Sequence, residues 1–324
     1  MTTARQWVAT DFGGPEVLRL REVEVPSPGP GEVTIAVRAA GMNPADYKHF
    51  AAGRDRRPLP LTLGYEVAGL LAAVGPGTSI ATGPAAVGDA VIAFQILGGY
   101  ASALNVPASD VFAKPAPLDF AQAANLLLAG TTAAELLATA EVSAGDAVLV
   151  HGAAGAVGLS VLQQARLLGV RVIGTADPGS FAIVRALGAI LVGYGDGPDE
   201  LAARVRAAAG DDIAAALDTV GSDEAVDASL ALLKDRRRLV TLTAFGRAEA
   251  EGFTAIGARN PASGPFRDRA RAGLVEMAAA GDLTVRIARE FPFEDAPEAV
   301  ATLAGPHPSG KLALVLDAPP GGRG

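Results

Sequence analysis

Residues 148–158 read Val-Leu-Val-His-Gly-Ala-Ala-Gly-Ala-Val-Gly. An apolar, β-branched run leads into small side chains, and a helical pattern starts at once. Val157, Val161, Leu162, Ala165 and Leu168 fall on one face of that helix, and Gln163, Gln164 and Arg166 point away. A helix N-terminus carries free N–H groups and positive dipole character, and small residues let an anion approach them closely. The spacing is Ala153-x-Gly155-x-x-Gly158, a dinucleotide fingerprint with alanine at its first glycine and Gly152 just before it. A glycine loop between strand and helix can also be a tight turn and nothing more. Its setting decides, and here strand, loop, helix and second strand fit the ~30-residue βαβ unit that the fingerprint requires.

The alternation extends beyond that unit. Strand-like runs at Ala147–Val150, Arg171–Thr175, Ile190–Val192, Ile213–Thr219 and Leu239–Leu242 are separated by helical patterns over 157–168, 180–187, 200–208 and 224–233. This pitch predicts a parallel sheet with helices on both faces. Before 121 the chain reads as strands at Leu18–Val25, Glu32–Ala40, Leu63–Val74, Ala90–Phe94 and Gly99–Val106, with breakers such as Pro26-Ser-Pro-Gly-Pro-Gly31 and one short helix at Pro44–Ala52. Alanine and leucine then recur at helical spacing through Ala140. After 260 come a helix (Arg267–Ala280), a strand (Leu283–Arg289), a short helix (Pro297–Leu303) and a last strand (Lys311–Leu316). The expected class is α/β: a β-rich domain over 1–120, a doubly wound domain over 121–260, and a C-terminal segment over 261–324.

The totals agree. A chain of 324 residues, half of them apolar, is expected to form two domains. A net charge of −8 argues against nucleic acid or an anionic membrane as partner. The absence of cysteine excludes disulfides, thiolate metal sites and cysteine nucleophiles, and fits the cytoplasm. The opening MTTARQWVATDFGGPE has no signal-peptide core, and no apolar run reaches the ~18 residues of a membrane span. None of the four tyrosines has lysine four places on, as a short-chain dehydrogenase needs, and no Gly-x-Ser-x-Gly elbow is present.

The fingerprint calls for an acid about 20 residues on, gripping the ribose. The second strand ends in Thr175-Ala176, small and neutral, which leaves room for a 2′-phosphate and favours NADP(H). Asp177 follows. It either turns inward and repels that phosphate or caps the next helix before Pro178.

In order along the chain, DFGGPEVL (11–18), PSPGPGEV (26–33), AAGMNPADYK (39–48), LGYEVAG (63–69), GGYAS (98–102), LAGTTAAELL (128–137), VLVHGAAGAVG (148–158), DTVG (218–221) and GKLALVL (310–316) complete a set. The chain so resembles the zinc-independent, zeta-crystallin-like quinone oxidoreductases of the medium-chain dehydrogenase/reductase superfamily. The resemblance implies a GroES-like catalytic domain, a Rossmann nucleotide-binding domain and a C-terminal return to the first. It also implies NADPH as cofactor, a small electrophilic acceptor and a homodimer.

Zinc-dependent relatives place cysteine where this chain has Asn43 and histidine where it has Tyr65, and His49, His151 and His307 lie far apart. With no Lewis acid to activate an alcohol, hydride delivery to a quinone or α,β-unsaturated carbonyl is the natural reaction. By resemblance, Ala154, Gly155, Ala156 and Val157 would lie at the pyrophosphate, with Gly152 and Ala153 completing the loop. Thr175 and Tyr194 would lie near the adenosine 2′-phosphate, and Val220 and Phe245 beside the nicotinamide-side ribose. Asn43 and Thr131 would face the nicotinamide half. Related NADPH enzymes often carry Lys or Arg just after the second strand, where this chain has Gly179-Ser180-Phe181. Tyr47 is the candidate proton donor, and Tyr65, Phe94, Gln95, Ile96 and Phe266 are expected to line the substrate slot with it. Two other readings stay open: an enoyl-thioester reductase of the same fold, and a non-catalytic NADPH-binding redox sensor.

Overall fold

Strand Ala147–His151 is buried at every residue, with Val148 and Val150 in one hydrophobic core and Ala147 and Leu149 in another. A strand that buries both faces must lie inside a layered α/β sheet. The computed structural model, which describes residues 2–53, 55, 57–257, 260–305 and 309–316, places it there. Among the described residues the sheet has six parallel strands, in the order Ile190–Gly193, Arg171–Ala176, Ala147–His151, Ala215–Asp218, Leu239–Thr241 and Thr254–Ala255. Counted along the chain, these are the third, second, first, fourth, fifth and sixth. The order reverses between Ala147–His151 and Ala215–Asp218. At such a reversal the loops leaving two neighbouring strands diverge to opposite faces and open a crevice beyond the strands' carboxyl ends.

Helix Ala156–Leu167 follows the glycine loop. Gln163 and Gln164 do not point into water, as their polarity suggested: each is 5% exposed. The helix is covered on two sides. The Gln164 amide donates to the Gly130 carbonyl and to Ser160 Oγ, both at 3.0 Å, and Gln163 donates to the Leu159 carbonyl at 3.1 Å. Leu168, expected inside, is 50% exposed.

The first compact unit comprises Met1–Leu128 and Thr284–Gly324, and the second Ala129–Leu283. The breaks read from the sequence, at 120/121 and 260/261, lie earlier than these, and hydrogen bonds explain both shifts. Residues 120–128 are held in the first unit: Asn125 Oδ1 takes the Met42 N–H at 3.2 Å, and Glu66 Oε2 takes the Leu128 N–H at 3.0 Å. Helix Ser263–Ala279 is held in the second, where Glu135 accepts from Ser263 and from Arg267 Nε, the latter at 2.7 Å. The first unit contains a three-stranded sheet and a seven-stranded sheet. The larger is antiparallel except where Ile287–Pro292 pairs with the C-terminal strand Lys311–Val315, which itself pairs with Glu32–Met42. Its core gathers Ile35, Met42, Phe50, Leu71, Tyr100 and Phe291. Strand Thr2–Ala9 was not anticipated; it pairs with Leu18–Val25 along eight residues and anchors Trp7, whose Nε1 donates to the Phe293 carbonyl at 2.9 Å.

Candidate functional site

A cavity of about 460 Å³ opens at the carboxyl end of the parallel sheet, within the range of small-molecule and cofactor pockets. Four strand ends line it: Gly152, Ala154 and Gly155 after the first, Ala176 and Asp177 at the second, Tyr194 after the third, and Val220, Ser222 and Glu224 after the fourth. Loops on both sides of the strand-order reversal therefore share one hollow.

Steric detail explains the small residues. Gly152 has φ +74°, and a Cβ there would lie 2.4 Å from Thr219 Oγ1. A Cβ at Gly158 would lie 2.2 Å from the Gly152 carbonyl oxygen, so the helix can approach the loop only as glycine. Gly155, the N-cap, differs: its Cβ would meet only the Gly152 oxygen, at 3.3 Å, and would otherwise project into open space. No side chain caps this helix, so its first-turn N–H groups have no side-chain acceptor. Ala153 is fully buried, and alanine is tolerated at the fingerprint's first position because the next strand has Gly174 opposite. A Cβ on Gly174 would come within 2.8 Å of the Ala153 methyl.

The far bank is organised by Asp218, which is fully buried. One carboxylate oxygen accepts from the Val220 and Gly221 N–H groups at 2.9 and 2.8 Å, and the other from Thr241 Oγ1 at 2.6 Å. Val220 is left 43% exposed on the cavity.

Other expected residues lie elsewhere. Thr175 is fully buried, its hydroxyl 3.2 Å from His151 Nδ1 and 3.5 Å from the Val150 carbonyl, and its side chain also hydrogen-bonds the hydroxyl of Tyr194, which lines the cavity. Asp177 makes no side-chain cap. Tyr194 does line the cavity, and its hydroxyl accepts the Gly152 N–H at 2.6 Å. Ala156 and Val157 form the helix's first turn, part-buried. Phe245 begins helix Phe245–Glu251, half-buried and outside the cavity lining, and Phe266 is half-buried on Ser263–Ala279. Thr131 is fully buried.

In the first unit, Asn43 is buried and its amide is in use: Nδ2 donates to Glu66 Oε1 at 2.9 Å, and Oδ1 accepts from the Lys311 ammonium. Lys311 Nζ also lies 3.2 Å from Glu66 Oε1. Asp46 Oδ2 accepts from the Asn43 N–H at 2.8 Å and from the Tyr100 hydroxyl at 3.1 Å; Oδ1 is buried without a partner among the described residues. This cluster was missed. Its signal was present, since Lys311 sits in an otherwise apolar final strand. Phe94 and Ile96 are core residues at 3% and 4% exposure. Gln95 between them is exposed at φ +66°. Tyr47 packs edge-on against Phe50, with ring centroids 5.6 Å apart. Tyr65 is half-buried, and its hydroxyl meets the exposed His49 at Nδ1, 2.7 Å away. His307 lies outside the described residues.

Two buried groups titrate with opposite signs. Burial pushes the Asp46 carboxyl from 3.8 up to about 7, against the pull of the Asn43 N–H, Lys311 and Tyr100. Burial pushes the His151 imidazole from 6.5 down to about 4, with Asp218 pulling the other way. Between those values the folded first unit keeps a proton on Asp46 that the unfolded chain releases, so stability falls as pH rises. The folded second unit refuses a proton that unfolded His151 takes up, so stability rises with pH. Trp7, the sole tryptophan, reports on the first unit. Its unfolding transition is expected to weaken from pH 4 to 7, and the protection factors of the Val148–Val150 amides, referred to the intrinsic exchange rate at each pH, to rise over the same range. Each effect should be roughly 1–3 kcal/mol. Asp46→Asn should flatten only the first.

Residues 29–116 match the alcohol dehydrogenase GroES-like domain, and residues 188–314 the zinc-binding dehydrogenase domain. A mycobacterial quinone oxidoreductase of known structure is 32% identical, with 97% of this chain and all of that one aligned at a TM-score of 0.78. The chain belongs to the zeta-crystallin-like quinone oxidoreductases of the medium-chain dehydrogenase/reductase superfamily. Its larger sheets are accordingly those of a GroES-like domain and a Rossmann-type domain. A mycobacterial protein complexed with NADPH is 31% identical over 96% of this chain and all of its own, at a TM-score of 0.81. The quinone oxidoreductase of Rattus norvegicus is 42% identical over 170 residues, 51% of this chain and 50% of the relative. The match thus spans about half the length of that curated relative. Among the described residues no helix is long and apolar enough to cross a membrane, and no group of three or more His, Cys, Asp or Glu could hold a metal ion.

Proposed function

We propose that this protein is an oxidoreductase that passes a hydride from a nicotinamide dinucleotide to an electrophilic small molecule, a quinone or an α,β-unsaturated carbonyl. The cavity at the strand-order reversal carries this reading. It joins an uncapped helix N-terminus, a loop that tolerates no Cβ at Gly152 or Gly158, and an open side at Gly155. That is the shape and polarity a diphosphate needs, and the residues present fit the group. The first-turn N–H groups from Ala156 onward would hold the diphosphate, with Ala154 and Gly155 against it, and Val220 and Ser222 would form the opposite bank. The bound nucleotide supplies the hydride. The family resemblance and the NADPH-bound relative support NADP(H).

Zinc does not fit the first unit's polar cluster. Asn43 and Tyr65 offer an amide and a phenol where a zinc ion needs stronger donors, and the Lys311 ammonium already lies between Asn43 and Glu66. We therefore read the reaction as metal-independent. A reduced enone also needs a proton. Tyr47 makes no side-chain hydrogen bond among the described residues and packs on Phe50. Tyr65 is better equipped, because a proton it gives up is replaced through His49, which water reaches.

Absorbance at the nicotinamide band tests the reading. Oxidation of reduced nucleotide with 9,10-phenanthrenequinone or a small benzoquinone is expected. Turnover only with crotonyl thioesters would move the function to enoyl reduction, and turnover with neither would leave a sensor. Tyr65→Phe is expected to slow enone reduction about 10–100-fold while Tyr47→Phe stays within about twofold. The opposite ranking returns the role to Tyr47.

A further inference from the structure

At the end of the cavity formed by the second and third strands, Ala176, Asp177 and Tyr194 meet Glu224 from helix Asp223–Leu232. Asp177 comes nineteen residues after Gly158, where an acid can reach a ribose diol. Its carboxylate is uncommitted: it does not cap the turn that follows and has no side-chain partner among the described residues. Glu224 Oε1 accepts the Gly195 N–H at 3.1 Å, which fixes a second negative charge at the rim. Among the described residues, no lysine or arginine lines the cavity. Arg204, on helix Pro198–Ala209, is turned to the Gly195 carbonyl, to Asp196 at 3.0 Å and to Glu200 at 3.7 Å. Phe181 and Gly179 stand where a cation could follow the second strand.

We propose that this end of the cavity selects the free ribose diol of NADH over the 2′-phosphate of NADPH, with Asp177 as the determining residue. The inference rests on the nicotinamide-dinucleotide reading above and departs from its NADP(H) part, since both nucleotides carry the same hydride. An ionised carboxylate accepts charge-assisted hydrogen bonds from two vicinal hydroxyls. A 2′-phosphate, itself carrying close to two negative charges, would meet two carboxylates and no cation. Tyr194, whose hydroxyl accepts the Gly152 N–H, can offer a phosphate one neutral O–H, which does not offset two carboxylates.

Calorimetric titration of the full-length protein with ADP-ribose and with 2′-phospho-ADP-ribose isolates this end from the nicotinamide half. The wild type is expected to bind ADP-ribose at least about tenfold tighter, a preference that shrinks as salt is raised. Asp177→Asn, at an exposed side chain with no side-chain partner among the described residues, should leave the fold intact and bring the ratio within about threefold. Tighter binding of the 2′-phosphorylated form, equal binding of the two, or a ratio indifferent to Asp177→Asn would overturn the selectivity while leaving the cofactor reading in place. Binding of neither compound would remove both.

Discussion

Replacing Lys311 by methionine is expected to destabilise the first unit by about 3–5 kcal/mol, read as an early transition in Trp7 fluorescence during denaturant unfolding. The ammonium is 5% exposed and the Glu66 carboxylate 2%, at 3.2 Å. Removing the cation leaves Glu66 buried with only neutral donors, the Asn43 amide and the Leu128 N–H. An unpaired buried charge costs far more than the pair contributes, so Lys311→Met combined with Glu66→Gln should recover much of the loss. If Lys311→Met alone proves harmless, the cluster does not hold the C-terminal strand to Glu32–Met42.

Gly155→Val is expected to lower nucleotide affinity by about 100-fold or more with little change in stability. At φ −70° and ψ 166° the backbone of Gly155 suits any residue, and the added side chain would enter the open space beside the helix N-terminus. A blocked anion cradle loses its hydrogen bonds and its close approach together. Gly158→Ala makes the contrast. Its methyl would overlap the Gly152 carbonyl at 2.2 Å, so the second unit should lose roughly 2–4 kcal/mol of stability as the loop shifts. If both variants bind normally, the loop is a turn and nothing more.

Much of this was legible because the Rossmann unit repeats one local grammar. Alternating strands and helices announced the parallel sheet, and the glycine spacing marked the loop that the cavity adjoins. What stayed hidden depended on partners far apart in sequence. Gln163 and Gln164 look like a solvent face until Gly130 and Ser160 supply a partner for Gln164. Thr175 reads as a strand end open to ligand, yet its hydroxyl points to His151. Asn43 reads as a site residue, yet its amide is engaged by Lys311, 268 positions later. Phe94 and Ile96 carry no periodic signal that separates slot from core. Strand Thr2–Ala9 escaped because its buried residues, Ala4 and then Trp7, Val8 and Ala9 in succession, follow no alternation.

A crystal structure of the protein grown with reduced nicotinamide nucleotide tests the cofactor reading most directly. Diphosphate density against the N–H groups of Ala156 and Val157, with the adenosine between Asp177 and Tyr194, is the expected result. Density at another place on the second unit, or none at saturating nucleotide, contradicts it.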